Sequence, residues 1–129
     1  MRPFACDAIL IEDGKLLLIR RAAEPFKGQW ALPGGMIGAD ETAEDCLKRE
    51  MKEETALEVE PVQFVGLYSD PKRDPRTTIS AAYLVKRISG ELGAGDDAGE
   101  VAWFKLGSLP ELCFDHSKIV TDALTLHSR

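Results

Sequence analysis

Three glutamates, Glu50, Glu53 and Glu54, stand within five residues of one another in the run Cys46 to Thr55. A helix advances by about 100° per residue. Counted from Ala43, Leu47, Met51 and Cys46 then form an apolar stripe, with Lys48, Lys52 and Asp45 on the opposite side. Glu50 and Glu54 fall inside the apolar stripe, and Glu53 falls on its edge beside Arg49. Carboxylates on the core side of a helix are costly unless something cationic meets them. No Lys or Arg shares that stripe. A solvated charged face accounts for Glu44, Asp45, Lys48 and Lys52 but fails for Glu50 and Glu54, because it would also expose Leu47 and Met51. A hard divalent cation held by oxygen ligands resolves the conflict. A Mg²⁺ site, with Mn²⁺ as a possible substitute, is therefore expected on Glu50, Glu53 and Glu54.

The helix that must position these groups is well marked. Thr42 is a good N-cap, and Asp45 three residues on is a short-armed capping-box partner. Ala43 to Thr55 contains no Pro or Gly. Ahead of it, Pro33-Gly34-Gly35 ends a brief strand, Trp30-Ala31-Leu32, and lets the backbone pass close to metal or phosphate.

Gly35, five residues, Glu41, seven residues, Arg49-Glu50-Met51-Lys52-Glu53-Glu54-Thr55 and then Leu57 resembles the Nudix hydrolase box, here residues 35–57. One position departs: Ala56 stands where the family has Gly. A left-handed non-Gly residue costs ~1–2 kcal/mol, so the exit from the helix is expected to differ. The resemblance implies hydrolysis of a pyrophosphate with Glu50, Glu53 and Glu54 on the metal, joined by the Gly35 carbonyl. It also implies Glu53 as a general base and Arg49 as the residue that steers the glutamates. Glu41 is the expected partner of Arg49, either as an orienting pair or as a simple surface pair. Glu100, opening the strand-like Glu-Val-Ala-Trp-Phe, either completes the metal site or is an exposed edge residue. The catalytic set is thus Glu53, Glu54, Arg49 and Glu41.

The composition agrees. Of the net charge of −6, residues 40–60 hold nine acidic and three basic side chains, and the other residues balance at thirteen against thirteen. The surplus acidity is confined to the box. It suits an anionic substrate only through metal ions and argues against a nucleic-acid-binding surface, which would be basic. Cys6, Cys46 and Cys113 lack paired ligand spacing and read as packed thiols. No signal-peptide pattern and no apolar run of membrane-spanning length is visible, so a cytoplasmic protein without a membrane partner is expected. A length of 129 residues suits one domain, 1–129.

Along the chain, Ala5–Glu12 and Lys15–Arg21 read as strands joined by the hairpin turn Asp13-Gly14. Glu58–Tyr68, Thr78–Arg87 and Glu100–Phe104 read as further strands, and Gly90–Gly99 as a mobile turn. Ser108-Leu109-Pro110 starts a short helical turn, and Asp115 caps a last helix through Ile119, Val120, Ala123 and Leu124. These elements predict an α/β fold with a mixed sheet sandwiched between helices, which is also the Nudix fold.

Substrate choice rests on the loops. Ser69 to Arg76 places Arg73 and Arg76 on a proline-stiffened scaffold suited to phosphate, or is an ordinary charged surface loop. Arg21 is the strand-end cation expected to face the site. Phe26, Trp30 and Tyr68 are candidates to stack on adenine. The segments 24–35 and 69–76 resemble the ADP-ribose pyrophosphatase branch, which implies cleavage of ADP-ribose to AMP and ribose 5-phosphate, and a possible homodimer. The alternatives are a house-cleaning triphosphate pyrophosphatase of the oxidised-dGTP type and a non-catalytic ADP-ribose-sensing module. His116 and His127 are assigned no role.

Overall fold

The computed structural model describes residues 1–93 and 98–127. Strand β1 (Phe4–Glu12) turns through Asp13 and Gly14 into β2 (Lys15–Arg21). Both turn residues have positive φ, 52° and 73°, as a two-residue hairpin requires. Two short strands follow, β3 (Trp30–Ala31) and β4 (Gly34–Met36), the second in a stretch expected to be only a turn. Helix α1 spans Ala43–Thr55, and β5 is Glu58–Tyr68. A 3-10 turn at Pro71–Arg73 precedes β6 (Ile79–Ser89). Strand β7 (Ala98–Lys105), a second 3-10 turn at Leu106–Ser108 and α2 (His116–His127) complete the order. That second turn comes earlier than expected, and Leu109 is already extended. Part of the turn expected at Gly90–Gly99 lies outside the described residues.

The strands form a mixed sheet in the order β3-β2-β1-β6-β5, with β4 also paired to β1 and β7 to β2. Strands β1 and β6 run parallel. Strand β1 meets β2 only beside the hairpin, at Ile11–Leu16 and Glu12–Lys15. Beyond it β2 pairs with β7, while Ala5, Cys6 and Asp7 pair with Met36, Gly35 and Gly34 of β4. The two strands therefore diverge, and the Gly34–Gly35 turn is seated where the sheet opens.

Alternation along the strands divides the core in two. Cys6, Ala8, Leu10 and Leu17 face Cys46, Leu47 and Met51 of α1. Ile9, Leu16 and Leu18 face Ile119, Val120 and Ala123 of α2. The predicted sheet between helices is what forms. The Cys6 and Cys46 thiols touch inside the first layer, with Sγ atoms 2.6 Å apart, and all three cysteines are free and buried.

At the end of α1 the chain differs from expectation. Ala56 adopts the left-handed conformation at φ 66° and closes the helix through its amide on the Lys52 carbonyl, 3.0 Å away. The exit that Gly makes in the family is kept here with Ala, and the strain is borne locally. At the other end, Thr42 and Asp45 form the expected capping box, each side chain accepting from the other's backbone amide.

Candidate active site

Helix α1 presents its carboxylates at graded depth. Glu54 is 7% exposed, Glu50 is mostly covered and Glu53 is half open. Glu54 accepts a hydrogen bond from the Gly34 amide at 2.8 Å. Among the described residues no Lys or Arg lies within ion-pair distance of it. Burial pushes its carboxyl up to about 8. Glu50 packs its carboxylate over the Gly35 Cα, so that a Cβ there would lie 2.4 to 2.6 Å from it. Any larger residue at position 35 would therefore displace the Glu50 carboxylate from its place.

Arg49 joins the group. Its Nε and Nη2 grip the Glu41 carboxylate at 2.6 and 2.8 Å, and its Nη1 reaches Glu50 at 2.6 Å and Glu53 at 3.2 Å. Its Nη2 also donates to the Met36 carbonyl. A guanidinium therefore does serve the glutamates, reaching over from the edge of the apolar stripe. Glu41 accepts in addition from the Gly38 amide. The Arg49 hydrogen bonds, followed by that amide, hold its carboxyl down at about 2. Among the described residues no three His, Cys, Asp or Glu side chains already converge on one point as metal ligands. The donor set is nevertheless all carboxylate oxygen, with Glu54 short of a cationic partner, and that chemistry fits a hard divalent ion.

A cleft runs from Glu54 and the Gly34–Met36 backbone to the start of α2, between the diverging β1 and β2. Asp7, Thr78, Ser80, Phe114 and His116 line it together with Arg21, Arg73 and Arg76. Arg21 and Arg76 both lie against the Phe114 ring, 5.0 and 5.7 Å from its centre. Phe26 stands edge-on to the same ring at 4.9 Å. Arg21 also donates to the Pro25 carbonyl. The buried Thr78 hydroxyl has no hydrogen-bond partner among the described residues.

Several expected site residues do other work. Arg73 is buried, with Nε and Nη2 on the Asp115 carboxylate at 2.9 and 2.7 Å and Nη1 on the Thr78 carbonyl at 3.0 Å. Its fork braces the cleft wall instead of standing open to phosphate. The Asp115 side chain, expected to cap α2, is the other half of that brace. Arg76 is more exposed but shares both Asp74 oxygens. Trp30 packs edge-on against Phe104 beside the α2-side core and does not line the cleft. Tyr68 is buried and donates to Asp122 at 2.6 Å. Glu100 is exposed and pairs with Arg20 at 3.1 Å across the β2–β7 register. The Gly35 carbonyl receives the Cys46 thiol at 3.6 Å.

Asp7, Phe114 and His116 were missed. Asp7 carried a readable signal, an acidic side chain in the middle of the apolar strand Phe4–Glu12, the same anomaly that exposed Glu54. Phe114 and His116 carried none, because only the packing of α2 brings them to the cleft.

The family model of the NUDIX domain matches residues 1–123. The chain is 50% identical over 119 residues to the ADP-ribose pyrophosphatase of Methanocaldococcus jannaschii, covering 92% of this chain and 70% of that protein. A MutT/nudix family protein from Enterococcus faecalis superposes with a TM-score of 0.83 at 32% identity, over 98% of this chain and 62% of that one. A bifunctional NMN adenylyltransferase/ADP ribose pyrophosphatase from Francisella tularensis, solved with AMP and a manganese ion, gives a TM-score of 0.84 at 31% identity. That match covers 98% of this chain, which spans only 42% of the Francisella protein. The chain belongs to the Nudix hydrolase family. Among the described residues no helix is long and apolar enough to cross a membrane.

Proposed function

We propose that the chain is a Mg²⁺-dependent pyrophosphohydrolase that cleaves ADP-ribose to AMP and ribose 5-phosphate. The observation that carries this reading is Glu54, a carboxylate buried beside the Gly34–Gly35 turn without a Lys or Arg ion pair among the described residues. The half-identical Methanocaldococcus protein, named for ADP-ribose, supports the substrate. Glu50, Glu53 and Glu54 would hold the metal, with Mn²⁺ able to substitute. When bound, such an ion neutralises phosphoryl oxygens and lowers the pKa of water.

The chain's own residues do the rest. Arg49, anchored on Glu41, sets the direction of Glu50 and Glu53. Glu53, the most open of the three, accepts the proton of the attacking water. The Gly34 amide fixes the direction of the Glu54 carboxyl, which would help to hold the ion. Arg21 and Arg76, with Phe114 between them, give the cleft a cationic and aromatic wall for a nucleoside diphosphate moiety. The enzyme acts on a small-molecule nucleotide in the cytoplasm as one domain, residues 1–129.

A panel of nucleoside diphosphate derivatives and nucleoside triphosphates, assayed with Mg²⁺ for AMP, sugar phosphate and pyrophosphate, tests this. Equimolar AMP and ribose 5-phosphate from ADP-ribose is expected. Turnover of triphosphates with ADP-ribose inert would overturn the substrate, and turnover of nothing would point to a sensor.

A further inference from the structure

The turn that meets Glu54 is held from its other side by a histidine on the second helix. His116 is 3% exposed and opens α2. Its Nδ1 accepts from the Leu32 amide at 3.0 Å. An amide N–H can only donate, so the ring proton sits on Nε2. Nε2 faces Asp7 Oδ2 at 3.6 Å, and that same oxygen accepts the Ser80 hydroxyl. Burial keeps the imidazole neutral by lowering its pKa, which preserves Nδ1 as an acceptor.

The consequences pass along three residues of backbone. Leu32 is fixed by His116, the Pro33 carbonyl accepts from the Ala8 amide at 2.8 Å, and the Gly34 amide donates to Glu54 at 2.8 Å. Gly34 sits tight on β1: a Cβ there would lie 2.0 Å from the Cys6 carbonyl and 2.9 Å from Asp7 Oδ1. Asp7 thus faces the imidazole through Oδ2 and pairs with Gly34 across β1 and β4.

We infer that His116, as the Nε2–H tautomer backed by Asp7, is a positioning residue that holds Leu32–Gly34 so that the Gly34 amide orients Glu54. It contacts none of the three glutamates itself; the effect reaches Glu54 only through the turn. The inference rests on the reading of Glu54 as a metal ligand.

The test compares the wild type with His116→Asn, His116→Gln and His116→Phe. The Asn side-chain oxygen takes the place of Nδ1, Gln extends toward the place of Nε2, and Phe fills the volume with neither. Three readouts are needed: ¹⁵N spectra of the imidazole and amide exchange at Leu32 and Gly34; Mn²⁺ affinity by titration; and kcat against KM on ADP-ribose. The wild type should show Nε2 protonated and Nδ1 bare. Phe and Gln should speed exchange at both amides and weaken Mn²⁺ several-fold, up to the roughly tenfold that losing a direct outer-shell partner costs, since His116 acts through the turn. They should lower kcat with KM nearly unchanged, and Asn should restore most of the wild-type values. Wild-type amide exchange and Mn²⁺ affinity in Phe or Gln would overturn the inference, as would Asn behaving like Gln. If Phe does not fold, the Asn and Gln pair and the wild-type tautomer decide the matter. A wild type that binds Mn²⁺ but leaves ADP-ribose uncut refutes the proposed substrate and leaves the amide and metal readouts standing.

Discussion

Helix α1 and the loop from Ser69 to Arg76 are both densely charged, and they dispose of that charge in opposite ways. In the loop, Arg73 closes on Asp115 and Arg76 on Asp74. On the helix, Arg49 is shared among Glu41, Glu50 and Glu53, and Glu54 is left with a backbone amide. Both loop arginines thus have a carboxylate of their own, Arg73 buried and Arg76 still open to the cleft, whereas on the helix Glu54 has no Lys or Arg ion pair among the described residues. Ion pairs closed within the fold build a wall; an acidic group at depth with no cation of its own marks where one from outside is to bind. The two carboxyls that bracket the helix express the same contrast, with Glu41 held down at about 2 and Glu54 pushed up to about 8.

Four substitutions sharpen the contrast, from the largest expected effect to the smallest. Glu53→Gln should lower kcat by ~10²–10⁴-fold, the range for a lost general base, with little change in KM. A change confined to KM in steady-state kinetics would remove Glu53 from that role. Arg73→Ala should cost about 3–5 kcal/mol in denaturant unfolding, because it strands Asp115 beside a buried wall. Wild-type stability with a raised KM would instead make Arg73 a substrate ligand. Ala56→Gly should add about 1 kcal/mol by relieving the left-handed alanine, offset in part by chain entropy. A loss of stability on calorimetry would mean the cap carries no strain. Glu100→Gln should shift stability by less than about 1 kcal/mol, as for an exposed ion pair, and leave Mg²⁺ affinity unchanged. A weakened Mg²⁺ isotherm would return Glu100 to the metal site.

The helix was legible because its information is local. Thr42, Asp45 and the 3.6-residue period of Cys46, Leu47 and Met51 place Glu50 and Glu54 on the covered side without reference to any other segment. The same holds for the Asp13-Gly14 hairpin and the alternation of β1 and β2. The loop was not legible, because its partners are remote. Nothing near Arg73 indicates that Asp115, 42 residues on, will fill its fork. Trp30 could as well stack on a ligand as on Phe104, and only the pairing of β2 with β7 decides between them. Ala56 misled for a different reason: the backbone accepts a left-handed alanine because the Lys52 carbonyl still needs its amide donor. Asp7 was within reach, since an acidic side chain inside an apolar strand is as anomalous as Glu54 inside an apolar helix stripe.

The most direct test of the central claim is titration of Mg²⁺ into the wild type, Glu50→Gln and Glu54→Gln, with folding checked by circular dichroism. A metal held by the buried carboxylates requires the affinity to fall by at least about tenfold in both folded variants, the least that losing a ligand costs if an outer-shell change already costs 10–100-fold. Unchanged affinity in both would contradict it.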